Sequence, residues 1–304
     1  MLTSALLMVR PAAFGFNPET ANSNIFQQKI ESSRIAPLAV AEFDQAVSKI
    51  RTSGINVLVL EDTPDPVKPD AVFPNNWFCT LPTGELLFFP MASSNRKLEA
   101  RDDLPQFLND HGYTIKRLID LRSRLAPEMV LEGTGSLVFD HIPKTVFATV
   151  SSRTNEEAVR VLAKLVNYTA HIAWAESSFG EEIYHTNVLL ALSPSLAVCC
   201  TDWLKPGKHK DEFLEALHKN NRKTIHISEA QARNFAANML FVPTRHELKL
   251  IASSTAWGAL TEEQRQQVSD AATPLLLDIP TIETVGGGSA RCMLAEIYLP
   301  ELPK

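Results

Sequence analysis

Residues 185–192 read HTNVLLAL: an imidazole, a hydroxyl and an amide ahead of five apolar residues. Taken alone, this is a short run of the kind that a buried strand requires. The same build recurs in AVFPNNWFCT from 71, GTGSLVFD from 133, NMLFVP from 238 and SARCMLAEIYLP from 289. The five starts, 71, 133, 185, 238 and 289, lie 62, 52, 53 and 51 residues apart. Between them run stretches of helical period, NEEAVRVLAKLVNY from 155, HKDEFLEALHKNN from 209 and TEEQRQQVSDAA from 261. Two begin with capping chemistry: Thr154 or Asn155 ahead of Glu156 and Glu157, and Thr261 ahead of Glu262 and Glu263. A β-rich segment follows each helix: TAHIAWAE, KTIHISE and TPLLLDIP. The spacing therefore predicts about five units of strand, strand, helix, strand. One unit cannot bury its own apolar face, and a closed ring of them could. An irregular mixed α/β sheet is the alternative that periodicity leaves open.

Composition narrows the function. The 304 residues are 45% hydrophobic and 21% charged, a globular balance that speaks against disorder. Net charge is −6 and the 29 Lys and Arg residues are scattered, so nucleic acid is not expected as a partner. No apolar run reaches the length of a membrane span, so no membrane is expected, and MLTSALLMVRPAAF reads as a first strand. Cys79, Cys199, Cys200 and Cys292 lack metal or disulfide spacing, and a reducing cytoplasm is the simplest setting.

The stretch TVGGGSARCML, 284–294, places three of the chain's 12 glycines together, four residues before Cys292. Consecutive glycines let backbone N–H groups approach a developing negative charge, and Arg291 beside the cysteine is expected to favour its thiolate. Asp70, Asn75 and Asn76 accompany the first recurring run, Glu132 the second, His185 the third and Cys292 the last. Equivalent strand ends of a ring converge, which would bring a carboxylate, an imidazole and a thiol into one pocket for nucleophilic catalysis. The alternative is a buried apolar cysteine and a satisfied core histidine. Cys79, Cys199 and Cys200 read as small buried hydrophobes. His141, His209, His218, His226 and His246 read as solvated.

These residues resemble the guanidino-group-modifying superfamily, which includes dimethylarginine dimethylaminohydrolase and arginine deiminase. The resemblance runs from VRP (9–11) through PDAVFPNNW (69–77), SSNRKLE (93–99), LEGTGSLVFD (131–140), SSRTNEEA (151–158) and YHTN (184–187) to GGGSARC (286–292). It implies an α/β fold, a five-fold pseudosymmetric α/β-propeller (pentein) of ββαβ units, as a single catalytic domain over 1–304. It further implies Cys292 as nucleophile, His185 as general acid and base, and Glu132 as the carboxylate beside the reacting group. Asp70 matches an acidic substrate contact, and Arg96 and Arg153 fall where the family holds the substrate's α-carboxylate, a task suited to guanidinium.

The departures are informative. Asn75-Asn76 stands where relatives carry an acidic pair, and His185-Thr186-Asn187 where deiminases carry His-x-Asp. A guanidinium needs buried anions, whereas a neutral ureido group needs matched donors and acceptors, which amides supply. The expected reaction is hydrolysis of citrulline to ornithine, carbon dioxide and ammonia through an S-carbamoyl cysteine, with no metal or organic cofactor. The opening MVRPAAFGFNPETANSN resembles the citrulline-utilisation branch of the superfamily. Alternatives are a guanidine hydrolase, an amidinotransferase and a non-catalytic binding protein of the same fold. A homo-oligomer is left open.

Overall fold

The computed structural model describes Thr3 and residues 5–302. Its strands form five three-stranded sheets of one plan. In the third, β6 (Leu137–Asp140) pairs antiparallel with β7 (Thr145–Val150), which pairs parallel with β8 (Thr169–Trp174) after a helical crossover. That crossover helix, Glu156–Val166, starts where Asn155 Oδ1 accepts the Ala158 N–H at 3.0 Å. It ends where Asn167 turns left-handed at φ 58°. Its buried face, Ala158, Val159, Leu162, Ala163 and Val166, follows the helical period read from the sequence.

The same plan gives β3 (Phe78–Thr80), β4 (Glu85–Phe88) and β5 (Arg117–Asp120) in one sheet, and β9 (Leu190–Leu192), β10 (Leu196–Cys199) and β11 (Lys223–His226) in another. A further sheet holds β12 (Leu240–Pro243), β13 (Leu248–Ser253) and β14 (Thr273–Leu277). The predicted helices appear as Lys208–His218 and Glu262–Ser269, the latter with Thr261 in a capping box with Gln264.

The remaining sheet joins distant parts of the chain. There β1 (Ala5–Arg10) pairs parallel with β2 (Asn56–Glu61) across the 18-residue helix Ile35–Thr52, and antiparallel with β15 (Ala295–Glu296). Leu6 faces Glu296 and Leu7 faces Ala295 in the register.

The core lies between units. Cys79 and Leu87 of one sheet pack with Val146, Ala148 and Leu162 of the next unit. Phe147 joins the third unit to Val198 and Phe213 of the fourth, which in turn meet Phe241 and Leu250 of the fifth. Leu240 and Ile251 of the fifth unit pack with Phe43 and Val57 of the first, in a cluster that also contains Cys292. Thus each unit covers the apolar face that its neighbour leaves open. Among the described residues no helix is long and apolar enough to cross a membrane.

Candidate active site

The recurring runs are shorter as strands than the sequence suggested, and the reactive groups sit in the turn before each strand or just ahead of it. These turns are Pro74–Asn76, Gly133–Ser136, Thr186–Val188 and Ala290–Met293. In the unit of β12, the Asn238 N–H closes a turn onto Phe235 O at 2.7 Å. Aligning the turns puts Asn76, Gly135, Asn187, Asn238 and Cys292 at one equivalent position, each two residues ahead of an apolar or strand-opening residue. These five residues meet. A Cβ on Gly135 would lie 2.4 Å from Asn76 Nδ2 and 2.8 Å from the His185 ring, so only glycine fits. The amide nitrogens of Asn187 and Asn238 lie 3.7 and 3.3 Å from Cys292 Sγ.

One small cavity is lined by Asp70, Phe73, Asn76, Arg96, Arg153, Tyr184, His185, Cys292, Asn24 and the three glycines 286–288. His185 Nε2 donates to Glu132 Oε2 at 2.8 Å, and Glu132 Oε1 accepts the Ala92 N–H at 3.0 Å. Glu132 is completely buried. Burial alone would raise its pKa, but Arg153, His185 and Arg96 outweigh that and hold it at about 2. Burial brings His185 down to about 4 against the pull of Glu132, with Arg153 and Arg96 adding to the depression. At neutral pH the pair is therefore a carboxylate and a neutral imidazole. With Nε2–H committed to Glu132, Nδ1 carries the lone pair.

Both arginines are engaged. Arg96 Nε and one terminal nitrogen each lie 2.9 Å from the Glu99 carboxylate, and another donates to Asn76 Oδ1 at 3.0 Å. Its Nε also lies 3.7 Å from Asp70 Oδ2. Arg153 donates to Ser23 Oγ at 2.7 Å, lies 3.7 Å from Glu132 Oε2 and covers the Tyr184 ring at 4.4 Å. The segment around Asn17 to Asn24 thus lies over the cavity, with Asn17 Nδ2 donating to Asp70 Oδ2 at 2.7 Å and Asn24 Nδ2 to Gly286 O at 3.2 Å. Burial raises Asp70, and lifts Glu99 to about 7 in spite of its bond to Arg96. Buried polar atoms without a hydrogen-bond partner among the described residues include Asp70 Oδ1, Asn76 Nδ2 and Asn187 Oδ1. Asn75 is fully buried but does not line the cavity; its carbonyl accepts from Thr134 Oγ1 at 3.3 Å.

Two expectations need correction and one gains a second ground. The triple glycine lines the cavity and is also required by packing: Cβ atoms on Gly286 and Gly288 would come within 2.8–2.9 Å of the Phe73 ring, and one on Gly287, at φ +64°, within 2.6 Å of Asn24. Arg291 bonds Leu294 O and Glu296 Oε2, both at 2.7 Å, and its charge favours the thiolate only weakly, too little to offset burial. Burial raises the Cys292 pKa, opposed chiefly by the hydrogen bond from Asn238. His141 is half-buried and not solvated, with Nδ1 2.8 Å from the Tyr168 hydroxyl and its pKa lowered by burial to about 4. Asn238 escaped the sequence reading because it introduces a run that looks wholly apolar; the repeat alignment was the signal that could have found it. Among the described residues no group of three or more His, Cys, Asp or Glu is placed to hold a metal ion.

The family model described as N,N dimethylarginine dimethylhydrolase, eukaryotic, matches residues 10–299. No curated protein sequence matches the chain. Among solved structures, the product-bound N-terminal domain of ArgZ, an arginine dihydrolase from the ornithine-ammonia cycle in cyanobacteria, matches with TM-score 0.75 at 17% identity, covering 98% of this chain and 99% of that one. Unliganded AgrE gives TM-score 0.75 at 18% identity over 99% of this chain and 40% of that one. A dimethylarginine dimethylaminohydrolase adduct gives 0.67 at 14%, covering 98% and 100%. At these identities the likeness establishes the fold. The chain spans 41% of the longer apo ArgZ chain.

Proposed function

We propose that this chain, which belongs to the eukaryotic N,N-dimethylarginine dimethylhydrolase family of the guanidino-modifying pentein superfamily, is a cysteine-dependent hydrolase that cleaves a carbon–nitrogen bond in the guanidino or ureido group of an arginine-like amino acid. Its five units are read as a closed propeller, one catalytic domain over 1–304, because successive units share cores from the first to the fifth and back to the first. Within that class the substrate we favour is citrulline. One observation carries the choice: the side chains in hydrogen-bond contact with Cys292 Sγ, Asn187 and Asn238, are both amides.

The chemistry follows from the protonation states. Neutral His185 takes the thiol proton as Sγ attacks the ureido carbon, and Glu132 stabilises the imidazolium so formed. Asn76 Nδ2, a buried donor facing the cavity, suits the oxygen that becomes negative in the tetrahedral intermediate. Collapse breaks the bond to the δ-nitrogen, which leaves as ornithine with the proton from His185. Water then gives a proton to His185 and its oxygen to the S-carbamoyl carbon, Cys292 departs as thiolate, and carbamic acid falls apart to carbon dioxide and ammonia. Asp70, Arg96 and Arg153 face the amino-acid end.

A second reading, a guanidino substrate, has its own support. The carboxyl groups of Asp70, Glu99 and Glu132 outnumber the guanidinium groups of Arg96 and Arg153 in this buried network, and Asp70 Oδ1 lacks a partner among the described residues. An incoming cation would draw Asp70 and Glu99, both raised by burial, to their charged forms and would also favour the buried thiolate. A substrate panel with ornithine, citrulline and ammonia measured separately decides between them. The expected result is ornithine from citrulline, abolished in Cys292→Ala, with no citrulline from arginine or methylated arginines. Release of citrulline from those guanidines, with citrulline itself inert, would overturn the ureido reading.

A further inference from the structure

Asn238 occupies a position whose chemistry the amide cannot escape. The Arg291 backbone N–H, which can only donate, lies 3.1 Å from Asn238 Oδ1. The Asn187 carbonyl, which can only accept, lies 3.1 Å from Asn238 Nδ2. These two backbone groups fix which way the amide faces, so the nearer atom, 3.3 Å from Cys292 Sγ, is its nitrogen, while Oδ1 lies farther off at 3.6 Å, where it can accept only from the protonated thiol. Asn238 is completely buried, and its anchors belong to the residue beside the nucleophile and to the neighbouring unit's Asn187. Asn187 offers a weaker contact to the sulfur at 3.7 Å, and its own Oδ1 has no partner to fix it among the described residues.

We infer that Asn238 is a further catalytic residue, a locked N–H donor that stabilises the Cys292 thiolate before attack and again when the sulfur departs. This deepens the reading of Cys292 as nucleophile and rests on it, but it requires no particular substrate. The titratable and charged groups sharing the cavity with the sulfur are His185, Asp70, Arg96, Arg153 and Tyr184, with Glu132 behind His185 and Arg291 bonded to Glu296. None of them is altered when position 238 alone is changed, so a shift at the sulfur reports on that position. A carboxylate at 238 keeps the acceptor for the Arg291 N–H, removes the donor and adds a like charge beside the thiolate.

The test is the pH profile of Cys292 alkylation by iodoacetamide in the whole protein, read by mass spectrometry. Alkylation follows the thiolate fraction. Loss of one hydrogen bond to a charged group, together with the added like charge, should raise the midpoint by about one pH unit or more in Asn238→Asp, with roughly ten-fold slower labelling below the midpoint. Asn187→Ala should move it less. An unchanged midpoint in folded Asn238→Asp overturns the assignment. Because that variant leaves a carboxylate against the Asn187 carbonyl, a wild-type measurement accompanies it: the Asn238 side-chain amide protons, followed by NMR, should shift with the same midpoint as alkylation. Amide resonances that ignore the thiol's ionisation overturn it equally. If citrulline proves inert while both profiles shift, the substrate reading fails and this one stands.

Discussion

At the scale of single residues, His185 and Glu132 are the sharpest case of environment setting chemistry. A neutral imidazole bonded to an anion would ordinarily be drawn toward the charged form, but burial and the two nearby guanidiniums prevail and bring His185 to about 4. Because its pKa in the folded chain lies below the unfolded value, the unfolded state takes up the proton first as pH falls. The stabilisation is complete above the ordinary value of 6.5 and disappears as pH falls from there toward 4. Melting temperatures measured from pH 7 to 4 should therefore decline more steeply for the wild type than for His185→Gln. Glu132, held near 2, loses its contribution as pH falls from the ordinary value of 4.5 toward 2, so it enters only at the acid end of that window. Parallel curves would show that His185 is not kept neutral by the fold. The identities of Cys292, His185, Glu132 and Asp70 were legible in the sequence because polar residues beside glycines and apolar runs are rarely casual. The engagement of Arg96 by Glu99 was not legible, since the bidentate pair depends on how the turn at 94–97 is folded.

At the scale of elements, the turn before each strand does the positioning, and Gly135 shows how closely these turns meet. Its missing side chain makes room for the His185 ring and the Asn76 amide. Gly135→Ala should lower kcat by at least ten-fold, since displacements near 1 Å at a reacting centre cost about 10²-fold, while secondary structure by circular dichroism stays native. Wild-type kcat in that variant would mean that the two side chains move aside without consequence. Helix boundaries were legible where side chains announce them: Asn155 and Thr261 cap as their chemistry requires. Strand starts were not, because apolar residues such as Ala71, Val72 and Phe73 are buried in a turn as thoroughly as in a sheet. Periodicity reports burial, and burial here extends beyond the hydrogen-bonded ladder.

At the scale of the whole molecule, the units are interdependent. Phe147, with no exposed surface, belongs to β7 and packs with Phe213 of the next unit at a ring separation of 5.0 Å. Phe147→Ala should cost about 3–5 kcal/mol, as for other fully buried aromatics. Calorimetry should show one transition moved to lower temperature, with kcat per folded molecule unchanged. Two separated transitions would mean that the units unfold independently. The recurrence of units was legible from spacing alone, since spacing survives when sequences within the units diverge. The sharing of one sheet by β1 and β15 was not, because two short strands nearly 300 residues apart carry no local mark of their partnership.

That pairing imposes an order of events during synthesis. Cys292 precedes β15 by only a few residues, so a growing chain displays β1 and β2 with an unfinished edge until synthesis has passed residue 296. Carboxylate, imidazole and amides are made earlier and wait; the thiol and the strand that completes the first sheet arrive together. A nascent chain that has not yet reached residue 292 consequently holds the rest of the cavity without its thiol.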